Sequence, residues 1–172
     1  ENGELVKKDL VEVNKKAKMV ILLIGDGMSA SQITSYRLLK EGPNGRIAVD
    51  NFPISGIVLT HSADAIITDS ASSATAYSTG SKTKNGFLGV DQEGRILENL
   101  TEKLDNFGFV SALISTSEVT HATPAALSAH VDSRRNTDEI SSQMLESKVA
   151  TILGGGRKFF LSAENGGKRK DK

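Results

Sequence analysis

"FVSALISTSEVTHATP", residues 109–124, carries the two signals that decide the fold class. Its first half, 109–116, is a short and mostly apolar run, which is typical of a strand buried in a parallel sheet. Thr123 and Pro124 follow shortly afterwards, and a proline at the first helical position favours a helix start there. A strand followed directly by a helix is the repeating unit of α/β proteins, so this stretch predicts an α/β fold.

The same alternation extends in both directions along the chain. Apolar runs predict further strands at 19–27, 55–61 and 149–156. Capping residues and helical spacing predict helices at 29–40, 70–80, 94–108 and 137–148. We therefore expect one α/β sandwich domain over residues 1–172, with a largely parallel sheet and right-handed crossovers. Sites in such sheets lie beyond the carboxyl ends of the strands.

Composition narrows the classes of function. The chain has 172 residues, with 21 Lys plus Arg, 21 Asp plus Glu and no cysteine. Balanced charge gives no reason to expect specific binding of nucleic acid. The lack of cysteine excludes disulfides, thiolate metal sites and cysteine nucleophiles. We predict no transmembrane segment, because no apolar run approaches the about 20 residues that a bilayer requires, and the charged start does not resemble a signal peptide.

An acidic residue follows the first predicted strand. Asp26 stands between Gly25 and Gly27, which allow a sharp turn and leave the carboxylate uncrowded. A carboxylate in this place suits Mg²⁺ or Zn²⁺. Asp-Gly is also a common turn pair, so a plain turn is the alternative; the Asn85-Gly86 pair likewise predicts a turn.

"IITDSASSATAYSTG", residues 66–80, is crowded with small hydroxyl residues around one charge, Asp69. If a helix begins near Ser70, its unpaired backbone N–H groups favour negative charge there. The Ser70 hydroxyl would then ionise more easily, and a phosphate could dock beside it. The alternative is that Asp69 or Ser70 merely caps the helix while the small residues allow close packing.

The stretch after residue 116 offers further candidates. His121 and Thr123 stand just before a predicted helix start, where ligands are easily placed. Arg134 and Arg135 could bind an anion through their forked donors. The alternatives are structural or surface roles for each histidine and a solvated helix face for the arginine pair.

Taken together, these segments resemble the N-terminal part of an alkaline phosphatase. The segments that carry the resemblance cover most of residues 20–156: "ILLIGDGMS", "TDSASSATA", "STGSKTKNGFLGVD", "TSEVTHATPAALSAHVDSR" and "LGGG". The resemblance implies a three-layer α/β sandwich, incomplete at its C-terminus in this sequence.

The resemblance also implies roles for the residues of the phosphate site. Ser70 corresponds to the nucleophile that takes up the phosphoryl group. Asp69 corresponds to the neighbour that orients the substrate-binding arginine. Arg134 corresponds to that arginine, which holds two phosphate oxygens.

The metal ligands that the resemblance implies are Asp26, Ser70, Thr123 and His121, for two zinc ions and one magnesium. Asp26 corresponds to the aspartate that bridges one zinc and the magnesium, and Thr123 to a magnesium ligand. His121 stands where family members vary between aspartate and histidine. Since imidazole suits zinc better than magnesium, the third site could hold either metal.

The function implied by the resemblance is hydrolysis of phosphate monoesters through a phosphoserine, with a broad substrate range and an alkaline pH optimum. A periplasmic or secreted location and a homodimer are implied in the same way. The family's remaining metal ligands lie in a C-terminal part that these residues lack, so we expect a truncated sequence.

Three alternatives stay open. An inert fragment or phosphate-binding homologue is one, because most of the zinc ligands are missing. A serine hydrolase of the acyl-transfer type, using Ser70 with His61 or His121, is another, although "TDSAS" lacks the flanking glycines of a nucleophile elbow. The third is a related metal-dependent sulfatase or phosphodiesterase.

Overall fold

The computed structural model describes residues 17–169, which form two compact units, 17–45 and 46–169. The first unit contains an irregular segment, a turn at 26–27 and helix α1, Ala30–Glu41. Ser29 and Gln32 form the predicted capping box. The Ser29 side chain accepts a hydrogen bond from the backbone N–H of Gln32, and the Gln32 side chain accepts one from the backbone N–H of Ser29. The helix predicted at 29–40 is therefore confirmed.

The strand predicted at 19–27 is wrong for the described structure. Residues 19–25 have no regular secondary structure and belong to no sheet, and Leu23 is 83% exposed. An apolar run forms a buried strand only where neighbouring strands pair with it and helices cover its faces. Within residues 17–169, the sheet provides no strand that pairs with this segment.

The second unit contains a parallel pair of strands, β1 (Ser111–Glu118) and β2 (Val149–Gly155), with Leu113 opposite Ile152. Both strands were predicted, as was a largely parallel sheet, and together with the intervening helices they establish the α/β class. The strand predicted at 55–61 is wrong, because this segment is irregular and Ile57 is 99% exposed. It lacks a pairing strand within the described residues, as residues 19–27 do.

Four helices accompany the sheet in the second unit: α2 (Ser70–Thr79), α3 (Leu100–Asp105), α4 (Ala122–Ala125) and α5 (Thr137–Glu146). Short 3₁₀ turns lie at Ala48–Asn51, Arg157–Phe159 and Ala163–Asn165.

Two predicted helices differ in their bounds. The helix predicted at 94–108 is shorter, because the preceding residues form a turn closed by Arg95 and Asp91. In α4, Pro124 is the third helical residue and not the first; its missing N–H is harmless anywhere in the first turn.

The core of the second unit is built from small residues of α2 and α4 and larger ones of α5. Ala71 and Ala74 of α2 are buried, as are Ala122 and Ala125 of α4, and the two helices are in contact. Side chains of this size let two helix backbones approach closely. Helix α4 begins shortly after the carboxyl end of β1, and α2 packs against it.

Candidate active site

The N-terminus of α2 supplies the first part of the site. Asp69 caps the helix: its Oδ1 accepts hydrogen bonds from the backbone N–H of Ser72 (2.9 Å) and from the Ser72 hydroxyl (3.0 Å). Ser70 is the first helical residue and is partly exposed. Capping and close packing, the alternatives for this stretch, are both present, and neither engages the Ser70 hydroxyl.

Arg134 joins the carboxylate and the hydroxyl. Its Nη1 donates to Asp69 Oδ2 at 3.0 Å and to Ser70 Oγ at 2.9 Å. Its Nη2 lies 3.5 Å from Nε2 of His121. The side chains of Arg134 and Asp69 are 26% and 28% exposed, so the pair is partly shielded from water but open to a ligand.

The backbone around residue 86 brings Arg134 to α2. An antiparallel bridge pairs Leu88 with Val131, and three residues later the N–H of Arg134 donates to the carbonyl of Gly86 at 2.7 Å. The N–H of Gly86 in turn donates to Asp69 Oδ2 at 3.1 Å. One glycine therefore contacts both the carboxylate and the chain segment that carries the guanidinium.

Asn85 is a site residue that the sequence analysis missed, since it predicted only a turn there. Asn85 Oδ1 accepts from the N–H of Asp69 (2.9 Å) and from the Ser72 hydroxyl (2.8 Å), and its Nδ2 donates to the carbonyl of Ile67 (2.9 Å). The side chain thus fixes the chain on both sides of Thr68. Its position in "KTKNGFLGVD", within one of the quoted family segments, was the available signal.

These contacts keep Asp69 ionised. Partial burial raises the pKa of its carboxyl group, but hydrogen bonds from the Ser72 N–H, the Arg134 guanidinium and the Gly86 N–H outweigh burial, and the pKa falls below its ordinary 3.8. The carboxylate therefore holds Arg134 as a charged partner over the whole neutral and alkaline range.

An open cleft of about 600 Å³ lies against this network. The residues that line it come from the N-cap of α2, the end of β1, the start of α4 and the segment that leads into α5: Asp69, Glu118, Thr120, His121, Ala122, Arg134, Arg135 and Thr137. Two arginines among the residues that line an open cleft favour an anionic ligand.

Three of the four residues predicted as metal ligands lie in the second unit, and Asp26 lies in the first. His121 is exposed and lies at the cleft, Ser70 lies beside Arg134, and Thr123 is half-buried in α4. Asp26 is exposed in the turn of the first unit. Within residues 17–169, no three His, Asp or Glu side chains are grouped so that they could hold a metal ion. These donors are of suitable types for zinc or magnesium, but the described residues alone do not complete a centre.

The histidines do not support an acyl-transfer site. Nδ1 of His61 lies 3.2 Å from the Ser62 carbonyl oxygen, and the ring nitrogens of His130 lie 2.8 Å from the Gly89 carbonyl oxygen and 2.9 Å from Glu102 Oε1. Within the described ranges, the Ser70 hydroxyl is bonded by Arg134 and by no histidine. A general base for acyl transfer must lie within hydrogen-bond reach of its serine.

Fold and site together define the class: an α/β protein in which a serine hydroxyl, a guanidinium and a capping carboxylate meet beside a cleft suited to anions. The family model described as "Alkaline phosphatase" matches residues 17–172. Alkaline phosphatase 4 of Bacillus subtilis is 36% identical over 93% of this chain and 36% of its own length. The alkaline phosphatase of Escherichia coli is 38% identical over 92% of this chain and 39% of its own.

Solved structures agree with the sequence relatives. The cold-active alkaline phosphatase of a Shewanella species matches with a TM-score of 0.75 at 38% identity, over 81% of this chain and 36% of that one. The enzyme of the Antarctic bacterium TAB5 matches with a TM-score of 0.76 at 35% identity, over 86% and 41%. This chain therefore belongs to the alkaline phosphatase family.

The chain spans little more than a third of the length of the curated relatives, 36% and 39% for the two named above. Alkaline phosphatases generally use metal ions, and a variant of the TAB5 enzyme is described with Mg bound in its M3 site. None of the helices in the described part of this chain has the length and hydrophobicity that crossing a bilayer requires.

Proposed function

We propose that the full-length protein hydrolyses phosphate monoesters through a phosphoserine formed on Ser70, with residues 1–172 belonging to one α/β catalytic domain. The observation that carries this proposal is the 2.9 Å contact between Arg134 Nη1 and Ser70 Oγ, made while Asp69 holds the same nitrogen. A hydroxyl and a guanidinium in contact can bind one phosphoryl group between them, the first as nucleophile and the second as oxyanion partner.

In the first half of the proposed reaction, the Ser70 oxygen attacks phosphorus. The Oγ–P bond forms, the bond from phosphorus to the leaving oxygen breaks, and that oxygen departs as an alcohol after taking up a proton. Attack requires the Ser70 hydroxyl to lose its proton, and the adjacent positive charge of Arg134 favours the alkoxide. The N–H groups of Arg134 that Asp69 does not use bind the equatorial phosphate oxygens.

In the second half, water attacks the phosphoserine, the Oγ–P bond breaks and inorganic phosphate leaves. An alkaline pH optimum follows, because the alkoxide fraction of Ser70 rises with pH while Arg134 keeps its charge. The proposed substrate range is broad, since the polar groups of the site gather around the phosphoryl position.

We propose two zinc ions and one magnesium as cofactors, with Asp26, Ser70, Thr123 and His121 among their ligands. Bound metal ions would supply positive charge that favours an ionised serine and neutralises the phosphate. The other ligands would come from the part of the family's length that this chain does not span. A homodimer and a periplasmic or secreted location are proposed from family membership.

The experiment that tests the nucleophile is acid-quenched trapping of ³²P-labelled enzyme from a labelled monoester, made with the full-length protein supplied with zinc and magnesium. We expect Ser70→Ala to abolish the covalent label. Ser73→Ala is the matched control, because Ser73 lies in the same helix and its hydroxyl contacts only the Ser70 carbonyl, at 3.4 Å. A covalent label that persists in Ser70→Ala would show that another residue is the nucleophile.

A non-catalytic phosphate-binding protein is the second candidate, favoured by the lack of a complete metal-binding group among residues 17–169. It predicts binding of inorganic phosphate without turnover when both metals are supplied. Relative rates on phosphate monoesters, phosphate diesters and sulfate esters separate the proposed activity from those of a phosphodiesterase or a sulfatase.

A further inference from the structure

The two carboxylates that line the cleft are each already neutralised. Asp69 is paired with Arg134 at 3.0 Å. Glu118, at the end of β1, forms a salt bridge with Lys158, which follows β2. An ion pair contributes little net field to its surroundings, so neither carboxylate sets the charge of the cleft.

Once these two ion pairs are set aside, Arg135 is the remaining charged residue among those that line the cleft. It lines the same cleft as Arg134 and is exposed. In the part of the chain that the structure describes, no carboxylate forms a salt bridge with it. Its neighbours Asp132 and Asp138 are exposed but do not line the cleft.

The backbone holds Arg135 at this wall. Its N–H donates to the hydroxyl of Ser133 at 3.3 Å, and its carbonyl accepts from the N–H of Thr137, the first residue of α5, at 2.9 Å. Arg134, the preceding residue, is anchored at the Gly86 carbonyl. One turn with a hydrogen-bonded backbone therefore carries both arginines. The Arg134 guanidinium is bonded to Asp69 and Ser70, whereas that of Arg135 forms no salt bridge within the described residues.

We propose that Arg135 forms a second anion subsite, which binds a phosphate or carboxylate group that the substrate carries close to its reacting phosphoryl group. This inference rests on the proposed function, which assigns the reacting group to Ser70 and Arg134. A guanidinium binds either anion through two parallel N–H donors. The protein would therefore prefer monoesters whose leaving group bears a nearby negative charge.

Calorimetric titration of the full-length, metal-loaded protein tests the subsite with three ligands that share one carbon linkage. Methylphosphonate carries one anionic group, phosphonoacetate adds a carboxylate and methylenediphosphonate adds a second phosphonate. We expect at least one of the two doubly anionic ligands to bind about twofold to fivefold more tightly than methylphosphonate, as a partly solvated charge pair allows. Which of them gains shows whether the second group is a carboxylate or a phosphate.

The decisive variant is Arg135→Gln. We expect it to remove the advantage of the doubly anionic ligands over methylphosphonate, while methylphosphonate itself binds no more than about twofold to fivefold more weakly because the cleft wall loses one positive charge. Arg95→Gln is the matched control, since Arg95 is an exposed arginine paired with Asp91 and Glu93 and does not line the cleft. It should preserve the advantage, even if metal chelation contributes to binding.

Two results would overturn the proposal: no advantage for either doubly anionic ligand in the wild-type protein, or an advantage that Arg135→Gln and Arg95→Gln retain equally. Failure of the proposed function looks different. In that case Arg134→Gln would leave methylphosphonate affinity unchanged. The effect of Arg135→Gln would still be measured, as a change in the affinity difference between the doubly anionic ligands and methylphosphonate.

Discussion

The guanidinium of Arg134 meets the carboxylate of Asp69 across 65 positions of the chain, with 3.0 Å between Nη1 and Oδ2. Asp69 is a helix cap at the same time, because its other oxygen binds Ser72 at the start of α2. The geometry of the phosphate site and the stability of the helix that carries Ser70 therefore depend on one carboxylate.

The first prediction concerns this carboxylate in acid. Because the pKa of Asp69 is lowered in the folded protein, ionised Asp69 stabilises the fold fully at neutral pH, and this contribution is lost as pH falls below the ordinary 3.8. The wild-type free energy of unfolding should therefore fall more steeply than that of Asp69→Asn as the pH drops from about 4 towards about 2. Urea unfolding at several pH values measures both slopes; parallel curves would contradict the prediction.

The second prediction concerns Asn85. Its side chain bonds Asp69, Ser72 and Ile67, so removing it takes the acceptor from the partly buried N–H of Asp69 and one partner each from the Ser72 hydroxyl and the Ile67 carbonyl. Asn85→Ala should lower the free energy of unfolding by about 1–3 kcal/mol and weaken phosphate binding. Asn106→Ala is the control, because Asn106 makes one exposed side-chain contact within the described residues, to Glu98. This substitution should lower the free energy of unfolding by less than half as much. Equal losses in the two variants would show that Asn85 has no special role.

The sequence was sufficient where structure depends on neighbouring residues. The start of α1 follows from Ser29 and Gln32, and the start of α2 follows from Asp69, since capping hydrogen bonds span only three residues. The pairing of β1 with β2 also follows from pattern, because helices between two apolar runs favour a parallel crossover.

The predictions that failed depend on distant parts of the fold. Residues 19–27 and 55–61 have the composition of buried strands, but an apolar run does not specify its partners, and the described residues supply none. In the site, Ser70 and Arg134 were identified through family resemblance. Asn85 was missed because an Asn-Gly pair forms a turn whether or not its side chain also binds a helix cap.

The third prediction separates two destabilising effects of an alanine at Gly89: the backbone strain of a positive φ and the steric overlap of the added Cβ. Gly89 has φ +62°, and a Cβ there would lie 2.5 Å from the Ala129 carbonyl oxygen and 2.6 Å from Nδ1 of His130. Gly94 has φ +81° with open space around a Cβ, so Gly94→Ala measures the backbone penalty alone, about 1–2 kcal/mol. Gly89→Ala should cost a further 1–3 kcal/mol or so from overpacking. Thermal and urea unfolding give the difference, and equal losses would show that the chain around His130 yields without cost.

The last prediction concerns the ion pair between Glu118 and Lys158, which joins the cleft to the turn after β2. Lys158→Met leaves the Glu118 carboxylate unpaired at the cleft wall, where it repels an incoming anion, while the methionine retains apolar contact with the ring of Phe159. Methylphosphonate affinity should fall about twofold to fivefold at low salt, with a smaller change at high salt.

Glu118→Gln reverses the sign of that change. It leaves Lys158 unpaired beside the cleft, so the affinity for methylphosphonate should rise. The double variant removes both charges and should return the affinity close to the wild-type value, because the net charge near the cleft is then restored. Calorimetry at two salt concentrations measures all four proteins. If both single variants weaken binding, the ion pair acts by holding the end of β1 in place, and its charge is not what matters to the ligand.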